Sequence, residues 1–368
     1  MFLSVGVRAV VNVEALNMVE SVGNVTRHRK ATVVFRRGGE YVVRIVPVVS
    51  GESIAHAYQW WIAELAKQRY GANAPLCEYC EKGEFLKHCD VNLFGSKPWE
   101  QELKAAVLSK EGYDPHEVEK KIVQNCIVED IGGFLFPGAQ PPREKSEKKG
   151  AEASKKEKAS RESERRQEAR PVKRTSRFQV SYMVPTLDSL ERGAVSVEPQ
   201  FHVRHSPSRV TKEGQEAAGQ AIYYVETGSA VYALTFNIDL GGIGKTSMLR
   251  VEDVVNPEEA RRRAILAIDA LAAMLDTRIF GAKLSRFTPV TEYETVIAAV
   301  SERPPFVVSA PASPNFARDV AQRRASFERF FKGSVKLFGI GEALPDGVEP
   351  VGNVLDLFDR VKRELGLA

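Results

Sequence analysis

The residues with the most explicit chemical spacing are Gly241-Gly242-Ile243-Gly244-Lys245-Thr246. They follow an apolar, β-rich stretch and end in Gly-Lys-Thr, as a phosphate-cradling loop does. That loop needs another glycine five positions before its second one, and Asp239 stands there. It also needs a helix opening at Lys245-Thr246, so that backbone N–H groups face the phosphate. Here MLRVEDVV follows, and the next helix start is Asn256-Pro257-Glu258-Glu259. Nucleotide hydrolysis is therefore disfavoured. A second set of residues is built on sulfur. Cys77-x2-Cys80 can form one half of a tetrahedral thiolate site. The adjacent His88-Cys89 and the distant Cys126 make an irregular second half, and buried free cysteines are the alternative. No metal ligand set and no cofactor is assigned, with a structural zinc at Cys77 and Cys80 left open.

Two further clusters suit nucleic acid better than catalysis. In QFHVRHSPSR (Gln200 to Arg209), His202, Arg204 and Ser206 share one face of an extended ribbon, with His205 and Arg209 beside them. Acid–base catalysis would need a carboxylate, and Glu198 is the only close one. Imidazoles and guanidiniums can instead stack on splayed bases and bind phosphates. The stretch Asn17 to Lys30 gathers Asn17, Ser21, Gly23, Asn24, Arg27, His28 and Arg29, amides and cations that hold a phosphate backbone. It lacks a nucleophile–base pair. The plain alternative is a polar surface loop.

These clusters need elements to position them. From Val5 to Glu14 apolar and polar residues alternate, which predicts a strand. Its polar face carries Arg8, Asn12 and Glu14 and is expected to stay unburied. Thr32–Arg36 and Tyr41–Val46 read as a hairpin around Arg37-Gly38-Gly39-Glu40. Ser50-Gly51 opens a helix whose apolar stripe is Ile54, Tyr58, Trp61, Ile62 and Leu65, and whose N-terminus is an anion site or an ordinary turn. Further helices are expected at 99–109, 115–125, 257–276, 316–331 and 354–365. Phe178 to Val184 and Val296–Glu302 with Phe306–Ala310 read as strands, and 222–239 as a hairpin turning at Thr227-Gly228-Ser229. Phe280 to Arg286 offers Lys283 and Arg286 on a glycine-containing loop, or a simple helix end at Gly281. The order strand, helix, strand, strand, helix, strand suits a split βαβ, ferredoxin-like core.

NVEALNMVESVGNVTRHR followed by VVRIVPVVSGESIAHAYQ (Val42 to Gln59) resembles the archaeal DevR-type CRISPR-associated proteins, the crRNA-binding backbone subunits of type I-A Cascade. The resemblance is specific over the first seventy residues and looser from Phe178 to about Pro311. It implies an α+β fold with an RNA-recognition-motif-like (ferredoxin-like) core, a helical insertion and a thumb-like projection. It implies a non-catalytic role in antiviral defence: several copies polymerise along CRISPR RNA as a helical filament, bind other Cascade subunits and present the guide to a target DNA strand. The turn at Ser50-Gly51, the basic loop with Lys283 and Arg286, and a thumb histidine that aligns best with His205 would then face RNA. Ser206-Pro207 departs from the family's local pattern. The alternative is a metal-independent endoribonuclease using His28, His202 or His205.

Length and composition agree with these readings. The 368 residues can bury a large core. Four cysteines make no disulfide framework. There is no apolar run of membrane-spanning length and no signal-peptide pattern, so a cytoplasmic protein without a membrane partner is expected. The net charge of +4 sits in one run, Arg143 to Arg170, with eleven basic residues against seven Glu. The remainder is neutral, 41 against 41, so nucleic-acid binding must come from local patches. The expected organisation is core at 1–69, helical insertion at 70–176 ending in the charged run, a core strand at 177–187, a thumb-like projection at 188–220 and core again at 221–368.

Overall fold

The computed structural model describes residues 1–109, 112–138, 170–205, 209–210, 216–217 and 220–368. The charged run from Arg143 to Ala169 and the tip residues Ser206, Pro207 and Ser208 lie outside the described residues. In chain order the elements are β1 (Phe2–Glu14), β2 (Met18–Val22), β3 (Val25–His28), β4 (Lys30–Arg37), β5 (Glu40–Pro47), α1 (Gly51–Tyr70), α2 (Glu78–Lys82), α3 (Pro98–Val107), α4 (Pro115–Asn125), α5 (Ile127–Gly132), β6 (Phe134–Phe136) and β7 (Val172–Arg174). There follow β8 (Phe178–Val180), β9 (Val184–Pro185), α6 (Leu187–Arg192), β10 (Val195–His205), β11 (Arg209–Val210), β12 (Glu216–Ala217), β13 (Gln220–Asp239), α7 (Pro257–Thr277), α8 (Leu284–Phe287), β14 (Val290–Ser301), α9 (Phe316–Phe331), β15 (Val335–Ile340), β16 (Glu349–Pro350) and α10 (Val354–Glu364). None of the described helices is long and apolar enough to cross a membrane.

The chain divides into two compact units: Met1–Tyr58 with Gln179–Ile238 and Ala272–Ala368, and Gln59–Phe178 with Asp239–Leu271. The first unit is built on a mixed sheet in the order β16-β15-β14-β1-β13-β3-β2, with β8, β9 and β10 also pairing along β13. β1 runs antiparallel to β14 from Phe2 opposite Ser301 to Asn12 opposite Val290. Ile297, Ala299, Phe306, Val308, Phe316, Val320, Val335 and Leu337 form one of its cores. Gly6 admits this packing, since a Cβ there would lie 3.1 Å from Val308 and 3.2 Å from Phe316. The β4–β5 hairpin turns on Gly38-Gly39, both with positive φ, as a tight two-residue connection requires.

In the second unit, Phe94, Leu103, Val107, Val118, Ile122, Phe134, Phe136 and Val172 form a core under the β6–β7 pair. Beside it Asp130 is fully buried between two arginines. Arg174 pairs with Asp130 and, at 3.3 Å, with Glu119. Arg263 reaches Asp130 at 2.9 Å and Glu259 at 2.8 Å, and donates to the carbonyls of Val123 and Gln124. The stretch expected as an insertion, 70–176, falls within this unit, which also takes in 239–271.

Three sequence expectations change. β1 keeps little of its polar face: Arg8 and Glu14 are buried and only Asn12 stays exposed, because it is a central strand with polar side chains satisfied from far along the chain. Residues 222–239 do not form a hairpin. β13 runs unbroken from Gln220 to Asp239, and Gly228 is there for close approach, since a Cβ would meet Glu14 Oε1 at 2.5 Å. Phe306–Ala310 pairs with no described strand; Phe306 and Val308 join the core from an irregular segment, while Val307 and Ala310 are exposed.

Candidate nucleic-acid interface

The polar stretch after β1 folds into a hairpin, β2–β3, that turns at Gly23-Asn24 with Gly23 at φ +61. Its second strand joins the sheet by pairing parallel to β13, Val25 opposite Tyr224. At the turn Asn24 accepts the Tyr224 amide through its carbonyl at 2.8 Å, and its side-chain amide donates to the Ile222 carbonyl at 3.4 Å. Ser21, Gly23, Asn24 and Arg27 are exposed. Among the described residues Arg27 pairs only with Glu20, 3.7 Å away, with both side chains more than half exposed. Such a surface pair holds little energy, so the cation is available to a stronger anion.

β10 and β13 form a long ribbon alongside. His202 stands opposite Tyr223, and the two rings stack with centroids 5.1 Å apart at 18°. Phe287 meets His202 edge-on at 5.5 Å, and Arg286 donates to the Tyr223 hydroxyl at 2.8 Å. Next to α8, the Ala282 amide donates to the Leu16 carbonyl at 2.7 Å. Gly281, at φ +80, makes this approach possible, since a Cβ would lie 2.7 Å from that same oxygen. Lys283 and Arg286 are exposed, and so is Asn12, opposite Val290 on β1. The structure thus links the β2–β3 turn, the His202–Tyr223 stack and the Lys283–Arg286 loop through β13 and Leu16. The strand positions of Arg204 and His205 are described; their side chains lie outside the described residues.

Five residues expected at this surface, Arg8, His28, Asn17, Ser50 and Gly51, are structural instead. Arg8 is buried, donating to both Asp188 oxygens at 3.2 and 3.1 Å, to Glu294 at 3.1 Å and to the Pro311 carbonyl. Four of the five N–H donors of this buried guanidinium are thereby spent inside the protein. His28 is buried, its Nε2 2.7 Å from Glu14 and its Nδ1 2.8 Å from the Arg29 carbonyl. Burial works against its charge, but the hydrogen bond and negative charge of Glu14 outweigh it and raise its pKa above the ordinary value. Glu14 also accepts the Tyr232 hydroxyl at 2.8 Å, so this network closes inside the protein. Asn17 accepts the Ser50 amide at 2.8 Å. Ser50 is buried and takes the Ser53 amide at 3.3 Å, capping α1. Gly51 is covered by the Val180 carbonyl, 3.2 Å from where its Cβ would be, so the helix start is closed to an anion. Arg29 is half-buried, with its Nε shielded from solvent and unpartnered.

Sequence reasoning passed over Tyr223 and Phe287. The available signal was YYV in an alternating strand, but only the β10–β13 register shows that Tyr223 faces His202.

The loop Gly241–Thr246 holds no cradle. The Gly244 amide donates to both Asp130 oxygens, at 3.1 and 3.0 Å, so an internal carboxylate occupies the place of a phosphate. Lys245 pairs with Asp253 at 2.5 Å, and the Thr246 hydroxyl donates to the Arg250 carbonyl at 3.0 Å. Elsewhere in that unit, Cys77, Cys80, Cys126 and Glu129 are buried with their ligand atoms within 4.8 Å of one another. His88 and Cys89 do not complete this set: His88 Nδ1 binds Glu129 at 2.7 Å, and Cys89 is exposed. Burial opposes charge on His88, but Glu129 and then Glu100 push its pKa up to about 10.

Compared with known proteins, residues 5–322 match the family model described as CRISPR-associated negative auto-regulator DevR/Csa2. The chain belongs to the DevR/Csa2 family. Among relatives, "CRISPR-associated protein Cas7/Csa2 1" of Saccharolobus solfataricus is 35% identical over 304 residues, 83% of this chain and 80% of that one. "CRISPR-associated aCascade subunit Cas7/Csa2 2" of the same organism is 30% identical over 98% of this chain and all of its own length. A chain of a solved "CRISPR RNA-guided surveillance complex, pre-nicking" superposes with a TM-score of 0.52 at 12% identity, covering 99% of this chain and all of that one. That likeness establishes a shared α+β fold for this DevR/Csa2 member.

Proposed function

We propose that this DevR/Csa2 protein is a backbone subunit of a CRISPR surveillance complex. Copies of it line up along a guide RNA, hold its backbone and leave its bases to pair with a target DNA strand. What carries the reading is family membership over most of the chain, joined to a surface where exposed cations and amides stand beside a stacked His–aromatic pair. Sequence information then lies in base pairing, while the protein grips backbone and shape. The RNA-recognition-motif-like core of this reading is β1, α1, β8, β13, α7 and β14, with β1 between β14 and β13 and β8 on β13. The grip would run from Asn24 and Arg27 through His202 and Tyr223 to Lys283 and Arg286, with Arg204 and His205 continuing the ribbon.

The reading is non-catalytic. Of the histidines a ribonuclease mechanism would use, His28 is enclosed with Glu14, and His202 lies between Tyr223 and Phe287. The test is incubation of the purified chain with repeat-containing guide RNA and, separately, with unrelated RNA, read by filter binding and denaturing gels. Retention without cleavage, with species of several copies per RNA by light scattering, is expected. Metal-independent cleavage would replace this reading with an endoribonuclease.

A further inference from the structure

The cluster in the second unit has the features of a metal site. Cys77 caps α2 with extended backbone, and the Cys80 amide donates to its sulfur at 3.4 Å. An N–H directed at sulfur stabilises a thiolate rather than a thiol. Cys126 follows α4 and precedes α5, and its sulfur lies beside those of Cys77 and Cys80. Glu129 lies one turn further on, fully buried. Its Oε1 is held by His88 at 2.7 Å, while its Oε2 has no hydrogen-bond partner. A bare carboxylate oxygen inside a protein is costly, and a cation is the partner that removes that cost. Carboxylates that bind a metal are themselves held by a hydrogen bond from behind, as His88 holds Glu129.

We propose that Cys77, Cys80, Cys126 and Glu129 bind one structural Zn²⁺. Zinc–sulfur bonds of about 2.3 Å in a tetrahedron place sulfurs about 3.8 Å apart, so donors within 4.8 Å of one another close by small side-chain shifts. Three sulfurs select a soft ion over magnesium or calcium, and a fully protein-supplied set leaves no open position for chemistry. Lys87, half-buried near Cys80, Cys126 and Glu129, offsets part of the negative charge left after the ion is bound. The ion would fasten the turn at Cys77–Cys80 to the α4–α5 junction, adding to the bond from the Ile127 amide to the Pro75 carbonyl at 2.8 Å.

The test is elemental analysis of the full-length chain purified in zinc-supplemented medium and dialysed against metal-free buffer. About one zinc per chain is expected. Cobalt replacing it should give the intense thiolate-to-cobalt charge-transfer absorption of a sulfur-rich tetrahedral site. Cys89→Ser should keep the metal; Cys77→Ser and Cys126→Ser should lose it. Glu129→Gln should keep the three sulfurs but shift the cobalt ligand-field bands, a readout that a merely structural glutamate would not move. Should the cysteine variants fail to fold, the wild-type stoichiometry and the Glu129→Gln spectrum decide by themselves. A metal-free wild type overturns the proposal, whether its buried cysteines titrate as free thiols on unfolding or two of them prove disulfide-bonded.

Discussion

Asp130 and the β2–β3 turn both lie where the sequence offers cations and glycine-rich backbone, and the structure uses them in opposite ways. Around Asp130 each donor is consumed internally: Arg174, Arg263 and the Gly244 amide converge on one buried carboxylate. At the turn, Asn24 and Arg27 are exposed, and among the described residues Arg27 has one surface partner, Glu20. Arg8 belongs with the first region despite lying in the stretch that carries the family likeness. Residue type does not separate a structural arginine from a binding one. What separates them is whether a carboxylate from elsewhere in the chain has already desolvated it.

The comparison breaks most readily at Arg174. Arg174→Ala leaves Asp130 and Glu119 buried with one cation fewer, and should cost about 3–5 kcal/mol, the usual penalty for breaking a buried pair. Urea denaturation would read this, and a change below about 1 kcal/mol would mean that water or another cation reaches the site. Arg8→Ala should cost less, about 1–3 kcal/mol, because Asp188 and Glu294 keep some contact with solvent.

Arg27→Ala combined with Arg286→Ala should leave the melting curve unchanged and weaken binding to unrelated RNAs about equally. The salt slope should become shallower by roughly 0.7 for each phosphate that the variant no longer neutralises, as for single strands. Undiminished affinity in filter binding would place the RNA elsewhere on the protein. Tyr223→Ala sharpens the point: if bases stack on the His202–Tyr223 surface, affinity falls by about 1–3 kcal/mol with the salt slope intact.

A smaller effect is expected at His28. Its folded pKa is raised, so the stability it contributes is fully present below its ordinary value of 6.5 and is lost as pH rises through the folded value. Wild-type stability should therefore fall with rising pH more steeply than that of His28→Gln. His88 adds a dependence of the same sign in both proteins, so the difference between the two curves reads His28. Equal slopes would mean that the histidine is neutral in the fold. The smallest effect belongs to Lys245→Ala, which removes a surface pair with Asp253 and should change neither stability nor RNA affinity by more than about 0.5 kcal/mol. Saturable ATP binding by the wild type in calorimetry would contradict the filled cradle.

Local pattern carried much of the fold. The Gly38-Gly39 turn, α4, α7 and α9 follow from turn chemistry, Pro at a first helical position and apolar periodicity, all of which act within a few residues. The failure of the Gly241–Thr246 motif was also legible, from Asp239 and the late helix start. Among site residues, exposure of Asn24, Arg27, Lys283 and Arg286 agrees with their polar, glycine-bearing loops. The fates of Arg8, His28, Asn17, Ser50 and Gly228 were not legible. Each is decided by a partner between 14 and about 290 residues away: Glu294 for Arg8, Glu14 for His28 and for Gly228, Asn17 for Ser50. The same holds for Cys126 and Glu129, which no spacing rule joins to Cys77-x2-Cys80. Sequence by itself determines which groups can carry charge, bind metal or stack. Only the tertiary structure decides which of them remain unspent, because desolvation and pairing depend on what folding brings within about 3 Å.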